Sequence, residues 1–211
     1  VSEPRLTVVE HPLVQHKLSY LRERSTPTVH FRKLVEEITL LLTYEATKDM
    51  ATEDAEIETP LETMTAQRIS GKKVAVCPVL RAGMGMLDGV LSLVSSARVG
   101  FIGMYRNEET LEPVEYFVKL PVDLAERDAI VLDPMLATGH SSCAAIDVVK
   151  DAGALTVTLV CIVAAPEGIA EVHRRHPDVH IVCAARDREL NELGYIVPGL
   201  GDAGDRLYGT K

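Results

Sequence analysis

The ten residues Asp133-Pro134-Met135-Leu136-Ala137-Thr138-Gly139-His140-Ser141-Ser142 decide how this chain folds. The run before them, Ala129-Ile130-Val131-Leu132, is short, apolar and β-branched, as a strand buried on both faces of a parallel sheet should be. After them, Ala145, Ile146, Val149 and Ala152 fall on one helical face and Gly153 supplies a stop. The sequence therefore predicts a strand, a tight small-residue turn and the start of a helix. Open α/β sheets collect ligands at the carboxyl ends of their strands, where a helix N-terminus offers unpaired N–H groups and about half a positive charge. Thr138, Gly139, His140, Ser141 and Ser142 are thus expected around a phosphate, with Asp133 accepting bonds from sugar hydroxyls. The expected ligand is a phosphorylated sugar.

Working outward, the same rhythm repeats. Val74-Ala75-Val76-Cys77, Arg98 to Met104, Val157 to Val163 and Val179 to Cys183 read as further strands. Helical patterns lie between them: Met86, Leu87, Val90, Leu91 and Val94 after the first, and a helix opened by Pro166-Glu167-Gly168 and running through Val172. Strands separated by helices specify a mostly parallel sheet with right-handed crossovers. Towards the N-terminus, Leu13 to Arg24 reads as a first helix ended by Ser25-Thr26-Pro27, with Thr28 as cap of a second. In that second helix Phe31, Leu34, Val35, Ile38, Leu41 and Leu42 make a wide apolar stripe. Periodicity does not separate core packing from a contact between subunits. Residues 48–73 are acidic and Thr-rich, and read as a short β excursion with loops. Asn107 to Glu112 is polar, and Val114 to Leu120 alternates weakly, so the segment about 104–120 is expected to be an exposed hairpin.

At 211 residues the chain fits one α/β domain, 1–211. A hydrophobic fraction of 46% with no charge-free run long enough for a bilayer favours a soluble protein without membrane contact. Val1-Ser2-Glu3-Pro4-Arg5 lacks the layout of a signal peptide, and Cys77, Cys143, Cys161 and Cys183 have no metal-type spacing. Buried free thiols in a reducing cytoplasm are the expectation. The formal charge of −9 speaks against nucleic-acid binding, which rests on neutralising cations, yet leaves room for a small anion held by local Arg residues and a divalent metal.

Gly199-Leu200-Gly201-Asp202-Ala203-Gly204 fits the dinucleotide fingerprint letter for letter, but its context does not. Only seven residues follow, too few for the helix, second strand and acid that the fingerprint requires. Glycines here can instead let a ligand base lie on the backbone.

The Asp133–Ser142 stretch resembles the PRPP (phosphoribosyl diphosphate) signature of the type I phosphoribosyltransferases, with the acid-then-Pro variant of the uracil phosphoribosyltransferases. Pro78-Val79-Leu80-Arg81-Ala82-Gly83, Gly103 to Thr110, Tyr195 to Gly204 and Leu41 to Thr47 extend the likeness over nearly the full length. The resemblance implies an α/β fold with a mostly parallel central sheet, N-terminal helices (13–48), a hairpin arm and a C-terminal hood or base-binding tail (195–211). It implies transfer of the phosphoribosyl group of PRPP to uracil, giving UMP and diphosphate. PRPP would lie on Asp133, Pro134, Met135, Leu136, Ala137, Thr138, Gly139, His140 and Ser141, with Arg81 and Arg106 on its diphosphate and Asp202 near both substrates. Main-chain groups of Ile196, Gly201 and Ala203, with Asp202, would meet uracil. Arg106 and Asp202 are the candidate catalytic residues.

The resemblance further implies Mg²⁺ held mainly by substrate and water, an assembly of two or four copies, and GTP as a candidate activator. Two bland readings stand beside these roles: Arg81 as a surface residue, and Arg106 paired with Glu108 or Glu109. The family usually has Gly where this chain has His140, so the ring must tolerate the loop's path or point outward. A related RNA-binding regulator of pyrimidine genes is the alternative, disfavoured by the acidic balance and the lack of a Lys/Arg stripe.

Overall fold

A computed structural model describes residues 4–72, 74–106 and 113–210, with backbone alone for Tyr105, Arg106 and Pro113. In chain order its elements begin with β1 (Arg5–Val8), α1 (Pro12–Arg22), α2 (Thr28–Ala46), β2 (Thr52–Glu58), β3 (Thr63–Ile69) and β4 (Ala75–Leu80). Next come α3 (Met84–Leu93), β5 (Arg98–Val99), β6 (Phe101–Arg106), β7 (Pro113–Lys119), β8 (Asp128–Leu132), β9 (Met135–Leu136) and α4 (His140–Asp151). The chain continues through β10 (Thr156–Ala164), α5 (Pro166–Arg175), β11 (His180–Arg186), β12 (Glu189–Leu190), β13 (Ile196–Val197) and α6 (Ala203–Tyr208).

The main sheet runs β1-β11-β10-β8-β4-β6-β7 and is parallel except for β7, which returns antiparallel along β6 as the expected hairpin. Residues alternate between its two faces because strand side chains do. Ile130 and Leu132 of β8 face one core with Val160 and Ile162 of β10, while Ala129 and Val131 face the other with Leu159 and Cys161. Helices α1, α2, α3 and α6 cover the first face, and α4 and α5 the second. Each fully buried Val, Leu or Ile contributes about 1.5–3 kcal/mol, so both layers are needed to hold a sheet this apolar. All four cysteines are buried free thiols.

Some boundaries differ from expectation for visible reasons. Strand β4 runs on through Pro78, which the sequence places after the strand; its missing N–H falls where β4 changes partner, from β5 at Val76 to β6 at Val79. Helix α1 stops at Arg22 instead of Arg24, and the carbonyls of Leu21 and Glu23 accept from the Arg206 guanidinium. Thr28 is the first helical residue and no cap, since the Pro27 carbonyl already accepts from the Phe31 amide at 2.9 Å. Four of the six stripe residues of α2, Phe31, Val35, Ile38 and Leu42, are fully buried within the chain, and Leu34 and Leu41 are partly buried. The expected β excursion is the antiparallel pair β2–β3.

Candidate functional site

The chain leaves β4 for β6 and β7 on one side of the sheet, then returns to β8 and continues to β10 and β11 on the other. Neighbouring β4 and β8 therefore mark the place where the winding reverses, and a crevice forms outside their carboxyl ends. Pro78 pairs with Leu132, so the turn carrying Arg81 and the turn beginning at Asp133 emerge side by side. A recess of about 230 Å³ opens there, lined by Ala82 from the first turn, Asp133, Met135, Thr138 and Ser141 from the second, and Gly194.

The second turn is held by its backbone. Pro134 O accepts from the amides of Ile162 and Val163, and Leu136 O from Ala165, which stitches β9 to β10. Leu136 is fully buried in the core, so it supports the turn without lining the recess. Gly139 is the N-cap of α4 at φ +84, a left-handed conformation that side chains resist. A Cβ there would lie 3.0 Å from the Gly168 carbonyl oxygen, where α5 packs close. No side chain caps α4, so its leading amides, beside Thr138 and Ser141, suit an anion.

Asp133 stands at the floor of the recess. Burial pushes its carboxyl up to about 6, against hydrogen bonds from the Ser142 hydroxyl at 3.0 Å and the Met135 amide at 3.4 Å. A carboxylate kept costly in this way gains most when a ligand supplies donors or a cation. Ser142 is 2% exposed, lines the same recess and donates its hydroxyl proton to Asp133, so its side chain positions the acid.

The tail is bound to the N-terminal helices by three arginines. Arg22 forms a two-pronged pair with Asp187 at 2.6 and 2.8 Å, and between them they hold Gly199: Asp187 accepts its amide and Arg22 donates to its carbonyl. Arg32 donates to Leu207 O at 2.6 Å. Arg206 donates to the carbonyls of Leu21, Leu200 and Glu23 and lies 4.3 Å from the Phe31 ring centre. Gly199 sits at φ +63 with the Ile196 carbonyl folded against it. This clamp sets the main chain from Ile196 to Ala203, the stretch expected to face a base.

Contrary to the expectation that the tail has no room for a helix, α6 forms in one and a half turns, while no second strand follows it among the described residues. Asp202 caps it, accepting from the Asp205 amide at 2.8 Å, which fixes the carboxylate's direction. Helix α6 rests on the Arg81 turn: a Cβ on Gly204 would lie 4.0 Å from the Ala82 methyl.

The structure thus gathers Asp133, Pro134, Met135, Ala137, Thr138, Gly139 and Ser141 around one recess, with exposed Arg81 beside it through Ala82. His140 is exposed and begins α4 with helical backbone; the positive φ falls on Gly139, so the ring costs the loop no strain. The side chain of Arg106 and the hairpin residues 107–112 lie outside the described residues. Asp187, Arg22, Arg206 and Gly194 escaped the sequence reading, because each acts through partners 6 to 185 residues away or through backbone alone. Among the described residues no three His, Cys, Asp or Glu side chains cluster as a metal cage, and no helix is long and apolar enough to cross a membrane.

A sequence profile of the uracil phosphoribosyltransferase family matches residues 8–210. A uracil phosphoribosyltransferase of Macrococcus caseolyticus is 58% identical over 98% of this chain and 99% of its own. Among solved structures, the AQ2163 protein of Aquifex aeolicus superposes with a TM-score of 0.93 at 38% identity, covering 98% of this chain and 99% of that one. An adenine phosphoribosyltransferase of Thermoanaerobacter pseudethanolicus, 10% identical, shares the fold with a TM-score of 0.51 over 76% of this chain and 85% of that one. The crevice between β4 and β8 accordingly sits in a chain that belongs to the uracil phosphoribosyltransferase family.

Proposed function

We propose that the protein transfers the phosphoribosyl group of PRPP to N1 of uracil, giving UMP and diphosphate. The observation that supports this reading is the meeting, at one reversal of the sheet, of the Arg81 turn and the Asp133 turn, with Gly194 on the same recess and Gly204 packed near Ala82. On this reading Ala137 to Ser141 hold the 5-phosphate with amides and hydroxyls, Asp133 accepts the ribose hydroxyls, and Arg81 with Arg106 holds the diphosphate. Main-chain groups of Ile196, Gly201 and Ala203 meet the pyrimidine edge. A base with the wrong pattern leaves buried polar groups unpaired there, which is how the tail discriminates.

Departure of diphosphate builds positive charge on the ribose and negative charge on the leaving group, and the two arginines stabilise the latter. Uracil N1 attacks from the opposite face. Asp202, its carboxylate directed by the α6 cap, is the candidate to take the N1 proton. Asp133 would offer Mg²⁺ a hard carboxylate oxygen in this recess, the ion being held mainly by substrate and water. When bound, Mg²⁺ supplies positive charge beside the diphosphate oxygens. Closing of the β6–β7 arm would exclude water that otherwise hydrolyses PRPP.

The same reading takes the enzyme as a cytoplasmic homodimer or homotetramer with GTP as candidate activator, tested by sedimentation and turnover with and without GTP. Incubation with PRPP, Mg²⁺ and labelled uracil should yield UMP. No UMP at any protein concentration removes the proposal, and equal use of hypoxanthine, adenine, guanine or orotate removes the pocket assignment.

A further inference from the structure

Helix α6 joins two parts of the crevice that the chemistry treats separately. Its N-cap Asp202 and first residue Ala203 are the ones read as facing the base, and its last, Tyr208, reaches the Arg81 turn. Tyr208 Oη donates to the carbonyl of Arg81 at 2.9 Å, and the Arg81 guanidinium lies 6.0 Å from the Tyr208 ring centre. That carbonyl also accepts from the Met84 amide at 3.1 Å, so the turn is tied both to α3 and to the tail. The backbone leading to Tyr208 is anchored independently of Arg81. The preceding residue, Leu207, is 1% exposed with its carbonyl bound by Arg32, and its side chain fills the space that a Cβ on Gly85 would need. The tail thus reaches the Arg81 main chain from an anchored neighbour, adding a bond to the one from Met84. Burial raises the phenol's pKa, so the hydroxyl stays a donor through the neutral range.

We infer that Tyr208 is a positioning residue for the leaving group: its hydroxyl fixes the Arg81 main chain so that the guanidinium is aimed at the diphosphate. This rests on the reading that the Arg81 turn holds diphosphate. Tyr208→Phe deletes the donor and keeps the ring.

Binding of inorganic diphosphate and of ribose 5-phosphate, measured by titration calorimetry with Mg²⁺, separates the two halves of PRPP. In Tyr208→Phe the diphosphate Kd and the PRPP KM should rise about three- to tenfold, the loss expected for one net hydrogen bond. The ribose 5-phosphate Kd and the uracil KM should hold. Unchanged diphosphate affinity, or equal weakening of both ligands as a general loosening would give, overturns the inference. Arg81→Ala is the companion variant. If it weakens diphosphate while Tyr208→Phe does not, the positioning role alone fails; if it leaves diphosphate untouched, the reading of the turn fails and takes this inference with it.

Discussion

Replacing Asp133 by Asn should make the ligand-free protein more stable at alkaline pH while disabling it. Asp133 holds its proton up to about 6 in the fold, against an ordinary value of 3.8, because burial disfavours the charged form. Folded protein thus binds more protons than unfolded chain between those values. Stability from this group is complete below pH 3.8, falls as pH rises through 6, and stays low above it. Two pH units correspond to about 3 kcal/mol of cost carried at pH 8. Asn is nearly isosteric and never ionises, so it escapes that cost, although one of the bonds from Ser142 and the Met135 amide is lost to its NH₂ group.

The lost bond acts at every pH, so the comparison across pH isolates the charge. Urea unfolding of parent and D133N, both without nucleotide or metal, should show the difference moving by about 2 kcal/mol in favour of D133N from pH 4.5 to pH 8. In thermal melts this is about 4–8 °C for a chain of this size. The kcat/KM with PRPP should fall about tenfold or more, since the acceptor for the ribose hydroxyls is gone. A stability difference that is the same at both pH values would refute the reasoning.

Asp187→Ala leaves the half-buried Arg22 charge and the Gly199 amide without their partner; it should cost about 3–5 kcal/mol in urea unfolding and raise the KM for uracil more than that for PRPP. Gly139→Ala places a side chain at φ +84 against Gly168, costing about 1–2 kcal/mol and weakening ribose 5-phosphate in calorimetry while sparing uracil. His140→Gly should leave the PRPP KM within about twofold, as for an exposed residue; a large fall in PRPP affinity would show that the imidazole takes part.

The strands at the centre of the sheet were legible because an apolar, β-branched run bounded by turn residues has few other fates, as Ala129–Leu132 and Val157–Val163 illustrate. The turn after Asp133 was legible for the same local reason. Strand β1 was not: Arg5-Leu6-Thr7-Val8 alternates for only four residues, too short a run to stand out, and β11 offers it an edge, pairing Leu6 with Ile181 and Val8 with Cys183. Helix α6 was discounted by counting residues, yet its stability comes from Arg32, Arg206 and the packing of Leu207 on α3. Asp133 and Ser142 sit nine residues apart with nothing in the sequence to say that the hydroxyl serves the acid. His140 shows the opposite: a departure that looked costly to the backbone brings no strain because the left-handed turn belongs to its neighbour.

Crystals of the protein soaked with UMP test the account most directly. The phosphate should rest on Ala137 to Ser141 and the pyrimidine edge on the main chain of Ile196, Gly201 and Ala203, with Asp133 beneath the ribose. A nucleotide lodged in any other cleft, or one whose base turns away from the C-terminal glycines, would contradict it.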